Sequence, residues 1–192
     1  MNSEYNLEYK QFIDNESLLK IDEVLRYLNQ LSISCKIWYH PPLPTIEKAM
    51  EFWREMPGTH CKNLFFRNHK GSKHYMVIFE CNQTLNVTSL EKNLKQGKLT
   101  FASPQRMQKH LGLEPGAVSP FGLINDTANH VKLFIDKELE FVSEISFHPN
   151  DNRASVLIDN KDFKKYLISV GNPYEYINCL NISEKLSSNT NN

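Results

Sequence analysis

Residues 63–79 read NLFFRNHKGSKHYMVIF. Two apolar, aromatic-rich runs, Asn63–Arg67 and Tyr75–Phe79, flank the turn-forming His69-Lys70-Gly71-Ser72. That pattern predicts a β-hairpin. Outward from it, strands and helices alternate. Ile33–Tyr39 reads as a strand stopped by His40-Pro41-Pro42, because proline has no N–H to give a ladder. Leu99–Ala102, Val131–Ile135, Glu144–Phe147 and Ser155–Ile158 read as further short strands. A helix is expected where Leu18, Ile21, Leu25 and Leu28 recur at helical spacing behind Asp14 or Asn15 as cap. Thr45 is expected to cap a second helix running to about Arg54, and Ser89–Leu94 a short third. Ser103-Pro104 supplies a cap hydroxyl and a first-turn proline, with Gly112 as the stop. Asp159 or Asn160 opens a last helix ending near Gly171. The sum is an α+β protein whose strands neighbour one another as hairpins rather than as regular βαβ units. Residues 1–182 are expected to form one domain, and 183–192, rich in Ser and Asn, a flexible tail.

Composition narrows the class. The chain has 192 residues, 40% hydrophobic and 23% charged, which excludes a disordered or fibrous chain over most of its length. No apolar run approaches the roughly 20 residues of a membrane span, and no leader pattern opens the chain. The four cysteines (Cys35, Cys61, Cys81, Cys179) form no CxxC pair, so a zinc ribbon and a disulfide framework are disfavoured. A reduced, cytoplasmic setting is expected. Net charge is zero but unevenly spread: His60–His110 holds nine Lys/Arg against two acids, while residues 1–30 hold six acids against three bases. The basic stretch suits a polyanion, or is simply a solvated surface.

Few residues announce chemistry. No GxSxG elbow, HExxH pair or Gly-rich phosphate loop is present, so no metal and no cofactor are expected. The unusual segment is Leu113–Asp126, LEPGAVSPFGLIND, whose two prolines and two glycines fix a backbone that is neither helix nor strand. Such a segment can aim several N–H groups into one cavity as an oxyanion hole. It can equally be a structural connection over a sheet end. Lys62 reads as a lysine reaching a phosphate or carbonyl from a strand, or as a snorkelling surface side chain.

The ordered set His40-Pro41-Pro42, Cys61–Phe66 (CKNLFF), Leu111–Asp126 and Phe147-His148-Pro149 with Asn152 resembles the YbaK-like aminoacyl-tRNA deacylases. Within them it is most similar to the freestanding prolyl-tRNA editing proteins, relatives of the editing domain inserted in bacterial prolyl-tRNA synthetase. The likeness runs from about Leu18 to Leu180. It implies a curved, mostly antiparallel, barrel-like sheet with helices outside, and metal-free hydrolysis of an aminoacyl ester. It assigns catalysis to Lys62, as anchor of the terminal phosphate, and to the backbone amides of Gly116, Ala117 and Val118. It assigns substrate binding to His40, Asn63, Ser119, Pro120, Phe121, His148 and Asn152. The implied substrate is Ala-tRNA(Pro), with proline excluded by pocket size. Cys-tRNA or another small-amino-acid charged tRNA is the alternative, as is an inactive module binding tRNA or synthetase. tRNA is the implied partner, with prolyl-tRNA synthetase a further one; no DNA or membrane partner is implied. Ser119 and Ser155 stand where the family often has threonine, and Asn150–Arg153 is more polar than usual.

Overall fold

The computed structural model describes residues 3–43 and 46–178. The expected cap at Thr45, Cys179 and the expected tail lie outside the described residues. In chain order the elements are β1 (Ser3–Tyr5), α1 (Leu7–Lys10), α2 (Asn15–Gln30), β2 (Lys36–Tyr39), α3 (Ile46–Trp53), β3 (Thr59–Arg67), β4 (His74–Glu80), α4 (Val87–Leu94), β5 (Thr100–Phe101) and α5 (Pro104–Leu111). After a 3-10 turn at Pro120–Asn125 come β6 (Val131–Asp136), a second 3-10 turn at Lys137–Glu140, β7 (Glu144–Phe147), β8 (Ala154–Asp159), α6 (Asn160–Val170) and β9 (Tyr174–Ile177).

The local signals act where they stand. The Asp14 carboxylate accepts from Ser17 N at 2.9 Å and starts α2, which buries Ile21, Val24 and Leu28. Ser103 accepts from Arg106 N at the start of α5, and Gly112 ends it at φ +65°, a left-handed position that favours glycine. The hairpin extends further than its apolar runs, pairing Cys61 with Glu80 through Arg67 with His74. A second hairpin, β7–β8, pairs Glu144 with Asp159 through Phe147 with Val156.

These hairpins are stitched into one curved, unclosed sheet in the order β1-β2-β8-β7-β3-β4-β6-β9, with β5 added to β3. Antiparallel ladders carry most of the paired positions, but β1–β2, β3–β7, β4–β6 and β6–β9 run parallel. The main core lies between the sheet and α2, α5 and α6. Ile21, Leu28, Phe65, Met76, Leu111, Phe121, Leu133, Phe147 and Phe163 pack there. Phe66, Val77, Phe79 and Leu90 form a second cluster on the opposite face under α4. Trp38, Trp53, Met56 and Leu157 form a third under α3.

Candidate active site

The interruption in the pairing of β3 makes the site. Its free edge meets β7 only at Thr59 and His60, and β5 only at Phe66 and Arg67. Hydrogen-bonded positions alternate along an antiparallel ladder. Cys81 N–H donates to His60 O at 2.9 Å, so even-numbered residues, Lys62 among them, turn their main-chain groups to β4. Those of Asn63 face the gap.

A cavity of about 520 Å³ occupies that gap. Lys62, Asn63, Gly116, Val118 and His148 all line it, with Leu43, Ala49, Trp53, Phe101 and Met107 as apolar walls. Both Lys62 and Asn63 contribute to the lining although successive side chains leave a strand on opposite faces; the Lys62 ammonium stands 5.9 Å from the ring centroid of Phe79, its cross-strand partner. The amide of Asn63 donates to Val118 O at 3.1 Å and staples the loop to the strand. Its Oδ1 is buried with no hydrogen-bond partner among the described residues, an acceptor open to a donor from a ligand.

The loop divides by function. Gly116 has φ +89° and lines the cavity beside Val118. No described protein group accepts from either amide. The Ala117 amide instead closes a turn onto Glu114 O at 3.1 Å, and Ala117 does not line the cavity. Of the amides at 116, 117 and 118, those of Gly116 and Val118 have no described acceptor, and that of Ala117 is taken by Glu114 O. Ser119, Pro120 and Phe121 are also outside the lining, because the 3-10 turn carries them into the core. The Ser119 hydroxyl donates to His148 O and accepts from Phe121 N. Phe121 packs edge-on to Tyr166 and Phe147. Asn152 stands behind Gly116, its Nδ2 3.7 Å from where a Cβ there would lie.

His148 is the polar wall. The hairpin loop between β7 and β8 presents it, and Nδ1–H donates to Ala154 O at 2.9 Å, so Nε2 carries the lone pair. Burial lowers its pKa and keeps the ring neutral. His40 lies outside the lining, its ring centroid 5.9 Å from that of His148. Its Nδ1–H donates to Pro41 O, and its Nε2 accepts from the Ser155 hydroxyl, which accepts in turn from Trp53 Nε1–H at 3.4 Å. Burial, then the neighbouring His148, push the His40 pKa down to about 4. Trp53 is further held by His60, stacked at 4.7 Å. The sequence points to the histidines of this wall but not to Trp53, which lies near the end of the helix expected to run to about Arg54.

Among the described residues one trio could hold a metal ion: His74, His110 and His130, with candidate ligand nitrogens all within 4.8 Å of one another. The trio fits one poorly. The His110 and His130 rings stack nearly parallel, 4.4 Å apart and 10° inclined, so their in-plane lone pairs do not converge. Arg106 Nη1 also donates to His74 Nε2 at 2.9 Å, setting a permanent cation against the trio. Across the basic stretch, none of the nine Lys/Arg forms a salt bridge among the described residues, so its positive field is not cancelled by neighbours.

The profile of one family, described as "Aminoacyl-tRNA editing domain", matches residues 40–166. This chain belongs to that family. The reaction class is aminoacyl-tRNA deacylation, and tRNA is the substrate carrier. The chain is 38% identical over 154 residues to the prolyl-tRNA editing protein ProX of Acetoanaerobium sticklandii, covering 80% of this chain and 94% of the relative. It is 30% identical over 153 residues to the mouse prolyl-tRNA synthetase associated domain-containing protein 1, covering 78% and 90%. A proline–tRNA ligase of Thermotoga maritima is 30% identical over 128 residues, 62% of this chain and 22% of that one. A solved structure described as a candidate trans-editing enzyme for prolyl tRNA synthetase superposes with a TM-score of 0.62 at 18% identity, covering 85% of this chain and 98% of the other, a likeness of fold. No helix among the described residues is long and apolar enough to cross a membrane.

Proposed function

We propose that this protein clears mischarged Ala-tRNA(Pro) in trans, hydrolysing the ester that joins alanine to the terminal ribose. The observation that carries the proposal is that Lys62, Gly116 and Val118 line one cavity, the two loop residues with amides that no described group takes. Kinship with ProX and with a proline–tRNA ligase supports tRNA(Pro) as the carrier.

An aminoacyl ester is already reactive, so orientation and charge stabilisation suffice. Water adds to the ester carbonyl carbon, assisted by the neighbouring hydroxyl of the terminal ribose. The Gly116 and Val118 amides receive the developing oxyanion, each donor worth about 10²–10³ in rate. Collapse breaks the bond to the ribose oxygen, which takes the proton. Alanine and free tRNA leave. Lys62 holds the terminal phosphate and so fixes the ester against the loop. Asn63 Oδ1 accepts from the amino group of alanine.

A cavity of this size is far larger than an alanyl group; it accommodates the terminal nucleoside as well. Rejection of proline therefore belongs to one corner, where His148 is held by hydrogen bonds to Ala154 and Ser119 and by ring contacts with His40 and Trp53. Exclusion is needed because a synthetase pocket that fits proline gains only about 1–3 kcal/mol per methylene against alanine. The lysine-rich face meets the acceptor stem through its phosphates, which makes the activity salt-dependent. Prolyl-tRNA synthetase is the partner that releases the substrate.

Deacylation of Ala-, Ser-, Cys- and Pro-tRNA(Pro) by wild type and Lys62→Ala tests this. Alanine should be released fastest and proline spared. Lys62→Ala should lose about 10- to 100-fold in kcat/KM without unfolding, the range for a hydrogen bond to a charged group. Equal rates on Ala- and Pro-tRNA, or full activity in a folded Lys62→Ala, overturn the proposal.

A further inference from the structure

One residue at the cavity mouth spends its exposure conspicuously. Phe101 is 63% exposed although it lines the cavity. It is not loose. Its strand β5 pairs it with Phe66, and the adjacent Ala102 N–H donates to Phe65 O at 2.9 Å. Ser103 then caps α5, so the backbone is anchored on both sides. The inner face of the ring stacks on Phe66, with centroids 4.7 Å apart and planes 21° inclined, and Phe66 is itself buried. The outer face is left to solvent at the rim. A rigid aromatic pair with one open face, beside a cavity lined by Lys62, which makes no salt bridge among the described residues, is complementary to a flat, phosphate-linked ring.

We propose that Phe101 is the stacking platform for the 3′-terminal adenine of the charged tRNA. The assignment rests on the deacylase reading above and extends it to the nucleobase. The ester lies deep, at Gly116 and Val118, and its ribose carries the base outward. Lys62 takes the phosphate on the strand that pairs with β5, and Lys98 and Arg67, whose Cα partner is Thr100, place further positive charge along the same edge. Stacking is indifferent to base-edge chemistry, so Phe101 supplies affinity for the end common to all charged tRNAs, and discrimination stays with the amino-acid corner.

Phe101→Trp tests the platform directly, because it keeps a ring and adds a reporter beyond Trp38 and Trp53. Adenosine 5′-monophosphate should quench the added emission, and ribose 5-phosphate should not. In steady-state deacylation, Phe101→Ala and Phe101→Leu should raise KM for Ala-tRNA(Pro) by about 10- to 100-fold. Their kcat should stay within about twofold, and Phe101→Trp should keep the wild-type KM. Absence of quenching overturns the proposal. So does a Phe101→Leu variant as tight as Phe101→Trp, which marks a greasy contact suited to a protein partner. If wild type leaves every tested ester intact while the quenching persists, the platform stands and the deacylase reading falls.

Discussion

Two halves of one short segment behave as different materials. From Leu113 to Val118 the chain skirts the cavity, with a left-handed Gly116 and two amides that no described protein group takes. From Ser119 to Asn125 it winds into a 3-10 turn whose hydroxyl and rings are all engaged in the interior. The front half leaves two amides untaken among the described residues, while Ala117 N–H and Val118 O are bonded, and the back half commits its hydroxyl and its phenyl ring to the interior. Pre-organisation of this kind lets an oxyanion site act without rearranging at the moment of reaction.

The sharpest way to break the contrast is Phe121→Ala. Phe121 is fully buried, and its truncation should cost about 3–5 kcal/mol in denaturant unfolding. Activity per folded molecule should fall with it as the front half loses its support; an unchanged kcat in the folded variant would show that the front half needs no such backing. Ser119→Ala comes next. It strips a donor from the His148 carbonyl and an acceptor from Phe121 N, and should cost about 1–3 kcal/mol. Because His148 is then less firmly held, hydrolysis of Pro-tRNA(Pro) should rise relative to Ala-tRNA(Pro) in a competition assay.

Gly116→Ala probes the front half. A Cβ there would meet only Asn152 Nδ2 at an ordinary 3.7 Å, so the penalty comes from φ +89° and should be about 1–2 kcal/mol. Here kcat should fall at least about tenfold, while the thermal midpoint falls by only about 2–8 °C. The last effect is a slope in pH. His40 stays neutral in the folded chain down to about pH 4, whereas an unfolded histidine protonates near 6.5. Between those values the unfolded chain binds more protons, so stability falls as pH drops through that window and is unaffected above it. The slope should reach at most about 1.4 kcal/mol per pH unit from this group, and His40→Gln should reduce the total, the remainder coming from His60, His74, His110 and His148, whose pKa values burial also lowers.

The hairpin, the caps of α2 and α5 and the position of the loop were legible because each depends on neighbours within a few residues. Asp14 needs only Ser17, and Ser103 only Arg106. The parallel ladders were not, since nothing local to Val131–Ile135 says that its partner is His74–Ile78. β1 and β9 escaped for the same reason, being short edge strands held by partners distant in sequence. The site was half legible. Lys62, Asn63, Gly116, Val118 and His148 do share one cavity, yet LEPGAVSPF reads as a unit and gives no sign that it turns inward after Val118. Nor does TFAS predict an exposed ring at the rim, because a strand signal does not say which face remains uncovered.

The missing rungs beside β3 also furnish a built-in reporter. Lys62 and Leu64 lock their amide protons into β4, but the proton on Asn63 N points across the gap, where no described group receives it. In deuterated water that single site should exchange quickly between two slow neighbours, and a molecule seated in the cavity should slow it alone, making occupancy countable without any turnover.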